Sequence, residues 1–172
     1  MPRIGFLTMA LLKAPRSDAS VAGFISRVDK NFAAAETAPG FIDRARLDEE
    51  TGLYNWGTRG IPSSFPYREV GDRIVQTLSV WNDLESVAAY AYTETHAEAL
   101  AGRREWCVRA TWPSYVAWWI NDDARPSWSE SYLRFDLLHL QGPGGEAFDF
   151  KRPYAIDGSP TTLARINLPR PS

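Results

Sequence analysis

The sequence predicts an α+β sandwich, one sheet with helices on one face. Three observations lead there. Strand-like and helix-like periodicities follow one another in the order β-α-β-β-α-α-β-α, without an internal repeat. Two of the strands carry apolar residues on both faces, so neither side of the sheet can be left to water. The chain has 172 residues, 44% of them hydrophobic, which suits a single domain with a substantial core. The domain is expected over 1–152, with the proline-containing stretch 153–172 as an extended tail.

The first strand is read at residues 4–12, where Ile4, Phe6, Thr8, Ala10 and Leu12 alternate with Gly5, Leu7, Met9 and Leu11. "APRSD" breaks it, and Ser17 or Asp18 can cap a helix. Val21, Phe24, Ile25, Val28 and Phe32 then recur at helical spacing and give one core-facing stripe. Pro39 and Gly40 should end that helix. Residues 41–47 read as a second strand with a charged face. The connection 48–72 is rich in Gly, Pro and Ser yet carries Tyr54, Trp56, Phe65 and Tyr67. Its aromatics argue for a packed lid rather than a loose linker. The third strand spans 73–81. Asn82 or Asp83 caps the next helix, with Glu85 placed for a capping box. Thr95 and Glu98 form a second box, and "YVAWWIN" at 115–121 is the fourth strand. Ser127 and Glu130 form a third box before a helix with Trp128, Tyr132 and Phe135 on one face. With both faces of the sheet apolar, a second copy is the simplest cover for the side the helices leave open, and a homodimer is expected.

Composition excludes several function classes. A formal net charge of −2 gives no basic face for nucleic acid and no reason to bind an anionic membrane. Cys107 is the single cysteine and there are two histidines, so neither a disulfide framework nor a structural zinc site is expected. The N-terminal apolar run is short and lacks a small-residue cleavage site, so it reads as a strand rather than a signal peptide, and a cytoplasmic location is expected. Seven Trp, seven Tyr and eight Phe supply either a large core or an aromatic-lined cavity for an apolar or planar ligand. "GPGG" at 142–145 is a turn, and Ser63, Ser64 and Ser114 lack the context of a hydrolase nucleophile. Asp122 and Asp123 read as a strand-end turn. His139, in the last turn of its helix, reads as structural, and Cys107 as an inert thiol.

The segment "THAEALAGRREW" concentrates the remaining chemistry. At steps of about 100° per residue, His96, Leu100, Arg103 and Cys107 share one helical stripe. Leu and Cys favour burial, so a histidine and an arginine are set into an apolar seam, while Arg104 points elsewhere with Glu98 and Glu105. The plain alternative is that His96 packs and Arg103 snorkels to water. The functional alternative puts both in a cavity, where histidine moves protons near neutral pH and arginine holds an oxyanion.

"LSVWNDLESVAAYAYTETHAEALAGRREW", then "YVAWWI" followed by "RP" and "SE", then "LHLQGPGGEAF", together resemble the DUF3291 family. That family resembles the antibiotic-biosynthesis-monooxygenase-like proteins of the dimeric α+β barrel superfamily. The resemblance spans roughly residues 4–150 and implies a ferredoxin-like sheet that dimerises through one face. It does not choose among cofactor-free oxygenases, isomerases, haem enzymes and stress proteins.

The leading expectation is a cofactor-independent enzyme acting on an aromatic or polyketide-like molecule by oxygenation, cyclisation, dehydration or isomerisation. His96 and Arg103 would be catalytic. Trp81, Tyr92, Trp106, Trp119, Arg104, Thr77 and Trp56 would contact the substrate. A haem protein with His96 as axial ligand and a non-catalytic binding or stress module are the alternatives.

Overall fold

The computed structural model describes residues 1–92 and 102–163. Strands β1 (Arg3–Leu11), β2 (Phe41–Arg44), β3 (Ile74–Trp81) and β4 (Tyr115–Ile120) form one antiparallel sheet in the order β2-β3-β1-β4. Helices α1 (Ala22–Ile25) and α2 (Val28–Thr37) join β1 to β2. Helix α3 (Leu84–Ala91) and helical residues 102–106 lie between β3 and β4, and α4 (Trp128–Gln141) follows β4. Two β-α-β halves with β1 and β3 side by side at the centre make a ferredoxin-like α+β fold.

The pairing register sorts the side chains onto two faces. Phe6 lies opposite Ser79 and Ala117, and Thr8 opposite Thr77 and Tyr115. Leu7 lies opposite Leu78 and Val116 on the other face. Both faces are covered, but by different means. On the first face, α2 and α3 with Phe148 and Phe150 close over Ile4, Phe6, Trp81 and Ala117 at one end. Val21, Trp106 and Cys107 close over Leu12 at the other end.

The second face carries the largest core. Trp128, Phe135 and Leu138 of α4, together with Trp56, Phe65, Val70 and Trp112, pack on Leu7, Met9, Leu11, Leu78, Val116 and Trp118. The same chain thus covers the face for which a second copy was invoked. The aromatic connection 48–72 is a core layer on this second face. An arginine–glutamine network fastens it there: Arg59 donates to Gln76 Oε1 (2.8 Å) and to the Tyr54 hydroxyl (2.7 Å), and Tyr132 donates to the same Gln76 oxygen (3.1 Å).

Local signals explain most boundaries. Asp83 caps α3 by accepting from the Ser86 N–H (2.7 Å), which puts Glu85 too early in the helix for the expected box. Ser127 caps α4 by accepting from the Glu130 N–H (3.1 Å). The Glu130 carboxylate accepts from Trp118 Nε1 (3.2 Å) instead of closing the box. Gly142, at φ 83°, ends α4 in a conformation that side chains rarely adopt. The single helix expected through Val21 and Phe32 is broken at Ser26 and Arg27, where the Ser26 hydroxyl and the Arg27 guanidinium both donate to the Gly23 carbonyl. The capping box at Thr95 and Glu98 lies outside the described residues.

The outer edge of β4 is closed by Phe148, which exchanges two backbone hydrogen bonds of 2.9 Å with Ala117. Residues 153–161 then turn back on themselves, with Tyr154 bridged to Pro160, and Trp119 Nε1 donates to the Tyr154 carbonyl (2.8 Å). No helix among the described residues is long and apolar enough to cross a membrane.

The second-face core yields a stability prediction. Phe135 is fully buried between α4 and the sheet and touches Phe65 edge-on. Phe135→Ala should cost about 3–5 kcal/mol, read as a lowered midpoint in urea denaturation.

Candidate functional site

The two clusters of the first sheet face leave its middle unfilled. Between them lies a cavity of about 360 Å³, within the range of small-molecule sites. Its floor is the centre of the sheet: Thr8 and Ala10 of β1, Val75 and Thr77 of β3. Val28, Asn31, Phe32 and Ala35 form the α2 wall, and Phe24 adds to it from α1. The stripe read from the sequence at Val28 and Phe32 thus faces the sheet across open space. Trp81, Tyr90 and Phe41 close one end, where Trp81 stacks on Tyr90 (5.2 Å between centroids) and meets Phe41 edge-on (5.3 Å). Tyr115 and Phe150 close a further side, their rings 4.6 Å apart.

Most of the lining is apolar, and among the described residues its charged groups are of one sign. Two arginines, Arg44 and Arg103, line the cavity, and among the described residues no Asp or Glu does. Arg44 is neutralised from outside: its Nε donates to Glu36 (2.8 Å) and its guanidinium sits 4.1 Å over the Phe32 ring. These hydrogen bonds hold the Glu36 carboxyl below the usual range. Arg103 has no carboxylate partner among the described residues; its one hydrogen bond is a long contact of 3.5 Å from Nη2 to the Met9 carbonyl. It is half-buried beside Cys107, and burial pushes the Cys107 thiol up against the opposing pull of Arg103 and Lys13. A cation in this position is a ready partner for an anionic oxygen.

The other polar groups are hydroxyls and one amide. Thr8 and Thr77 share a hydrogen bond of 2.6 Å on the floor. Ser79 accepts from Trp81 Nε1 (3.0 Å), and Tyr90 donates to the Asn31 carbonyl (3.0 Å). The Tyr115 hydroxyl accepts from the Phe150 N–H (3.3 Å), and burial pushes its pKa up to about 12. It therefore stays protonated at neutral pH.

The structure divides the residues singled out from the sequence. Thr77, Trp81, Tyr92 and Arg103 line one cavity. His96 lies outside the described residues, and the haem reading rests on it alone. Trp56 packs on the opposite sheet face, where its carbonyl accepts from the Trp128 N–H. Trp106 is a core pin under helical residues 102–106: Gly23 and Gly102 press on its indole so closely that a Cβ on either would clash. Arg27 lies 5.0 Å over the same ring. Trp119 faces the edge held by Tyr154. Arg104 is exposed, and its carbonyl accepts from Lys13 Nζ (2.7 Å). These four do not line the cavity. Thr8, Asn31, Arg44, Tyr90, Tyr115 and Phe150 were missed. A polar residue interrupting an apolar strand face at Thr8, in register with Thr77, was the available signal.

His139 lies elsewhere. Its Nδ1 is 3.0 Å from Ser64 Oγ, which donates to Asp136 (2.7 Å), so it fastens the 48–72 connection to α4. Among the described residues no group of three or more His, Cys, Asp or Glu is placed to hold a metal ion.

A ligand-sized cavity between sheet and helices of a ferredoxin-like α+β domain is thus the candidate site. The chain belongs to the family described as Domain of unknown function (DUF3291), whose model matches residues 3–164. No curated protein matches it. Among solved structures it is similar to a conserved protein from Methanosarcina mazei Go1, at 13% identity and a TM-score of 0.44, over 70% of this chain and 93% of that one. It is also similar to SnoaB, a cofactor-independent oxygenase from Streptomyces nogalater, at 10% identity and a TM-score of 0.42, over 73% of this chain and 97% of that one. A candidate antibiotic biosynthesis monooxygenase from Nitrosomonas europaea matches at 10% identity and a TM-score of 0.43, over 73% and 94%. Likeness at this level carries nothing about activity.

The raised Tyr115 pKa gives a pH prediction. The folded state holds the Tyr115 proton more tightly than the unfolded state does. Its contribution to stability is therefore complete below the ordinary value of 10.0 and is lost as pH rises through about 12. Tyr115→Phe cannot ionise, so alkaline unfolding followed by circular dichroism should show the variant losing less stability than the wild type over that interval.

Proposed function

We propose that this protein is a cofactor-independent enzyme that binds an aromatic or polyketide-like small molecule in the cavity and acts on it by acid–base chemistry. The observation that carries the reading is Arg103: a guanidinium without a carboxylate partner among the described residues, at the wall of an apolar, acid-free cavity. Such a cation favours a ligand whose oxygen is negatively charged or becomes so during reaction. A phenol or enol that loses its proton becomes such a ligand. Oxygenation, cyclisation, dehydration and isomerisation can all begin from that anion.

The proton acceptor is assigned to His96, whose side chain changes charge near neutral pH. In this scheme His96 takes the proton from the hydroxyl or the activated C–H, and Arg103 holds the oxygen on which the charge settles. The aromatic walls at Trp81, Tyr90, Tyr115 and Phe150 hold the ring system and exclude water.

Two measurements test the two halves. Naphthoate, an aromatic anion, should bind the wild type in a calorimetric titration, and Arg103→Gln should weaken it about tenfold or more. No binding to the wild type, or equal binding to the variant, overturns the site. β-Tetralone presents acidic C–H groups beside a carbonyl. Its exchange with deuterated water, followed by proton NMR, should be accelerated by the wild type and fall to the buffer rate with His96→Ala. Full exchange activity in a folded His96→Ala protein removes His96 from the mechanism.

A further inference from the structure

The floor of the cavity carries a hydrogen-bond donor without a partner. Thr8 and Thr77 face each other across β1 and β3 with their Oγ1 atoms 2.6 Å apart, and both side chains line the cavity. Two hydroxyls bring two protons to this pair. One is used between them, and whichever threonine donates it, the other hydroxyl keeps a proton of its own. Among the described residues that second proton has no acceptor: neither threonine makes a further side-chain hydrogen bond. The surrounding floor, at Ala10 and Val75, is apolar.

Arg103 lines the same cavity and reaches the same strand. The carbonyl it reaches belongs to Met9, the residue after Thr8. Among the described residues, this cavity thus holds a cation without a counterion and a neutral hydroxyl donor without an acceptor, which meet β1 at neighbouring residues. No carboxylate lines the cavity among the described residues to satisfy either. An unmet donor in an apolar site costs a ligand nothing only if the ligand brings an oxygen to it.

We infer that the Thr8–Thr77 pair is a specificity site that donates a hydrogen bond to a neutral carbonyl or ether oxygen of the ligand, beside the anionic oxygen held by Arg103. The ligand class is a flat, apolar molecule with two neighbouring oxygens, one acidic and one carbonyl-like, such as an enolised dicarbonyl or an aryl ketone with an adjacent hydroxyl. This rests on the proposed role of Arg103 as the anion site, and it adds the second contact that separates such a molecule from a simple aromatic acid.

The test compares two probes on one double variant. Hydroxynaphthoquinone, an anion at neutral pH, carries carbonyls beside its charged oxygen; naphthoate carries the anion alone. Thr8→Val with Thr77→Val keeps shape and strand preference but removes both hydroxyls. The double variant should bind hydroxynaphthoquinone about fivefold more weakly than the wild type and naphthoate equally well, and the corresponding double serine variant should restore the loss. Unchanged hydroxynaphthoquinone binding in the valine variant overturns the inference while naphthoate binding leaves the Arg103 site standing. Failure of both probes to bind the wild type overturns the Arg103 site itself, and the inference with it. Should the valine variant not fold, infrared difference spectroscopy on the wild type decides. A carbonyl stretch of bound hydroxynaphthoquinone below its frequency in an aprotic solvent supports the donor, and an unshifted band refutes it.

Discussion

A four-stranded sheet that is apolar on both faces has to be covered twice, and the rest of this structure follows from how the chain does it. The second face receives a complete layer, α4 with Trp56, Phe65 and Trp112, in which large rings interlock with Leu7, Met9 and Trp118. The first face receives helices that seal only its two ends. At one end Trp81 and Phe6 pack beneath α3 and Phe148; at the other Leu12 packs beneath Trp106. The strand centre between them, at Thr8, Ala10, Val75 and Thr77, holds short side chains under the bulk of α2. Among the described residues, small floor side chains below and α2 above leave an open space between them.

The charges around that space are arranged unequally. Arg44 and Arg103 both reach it, yet Arg44 is tied to Glu36 and stacked on Phe32, so its charge is met before any ligand arrives. Arg103 donates only a long bond to a strand carbonyl. Interaction with a neighbouring charge strengthens as the medium becomes less polar, so the same guanidinium is worth more to an anion inside an apolar cavity than on the surface. In the proposed reading this asymmetry gives a ligand a direction, with its apolar rings towards Trp81 and Tyr90 or Phe150 and its charged oxygen towards Arg103.

The fold was legible because period-two alternation and side-chain caps are local. β1, β3 and β4 fall within a residue or so of their expected limits, and Ser127 caps its helix as read. The site was legible in part, for a physical reason. Aromatic side chains serve equally well as core and as cavity wall, and sequence spacing does not say which layer a long connection joins. Trp56 was assigned to a lid and is core on the opposite face; Trp106 was assigned to the wall and is pinned beneath its own helix. Thr77, Trp81 and Arg103 were found because strand alternation and the helical stripe put them on the face where the cavity opens. Arg44 and Tyr115 escaped because their place depends on strand order, which no local pattern reveals.

The layered arrangement also separates stability from recognition. The polar network of Arg59, Gln76, Tyr54 and Tyr132 on the second face joins a connection to the sheet. On the first face the threonine pair and Arg103 end in donors that no described residue satisfies. Unmet donors are not confined to this face, since Trp112 Nε1 and Trp128 Nε1 are buried in the second-face core without a partner among the described residues; what sets the threonine pair and Arg103 apart is that they line an open space. In the proposed reading the second face, with the larger core cluster, supports the domain, and the first face stays open where a ligand completes it.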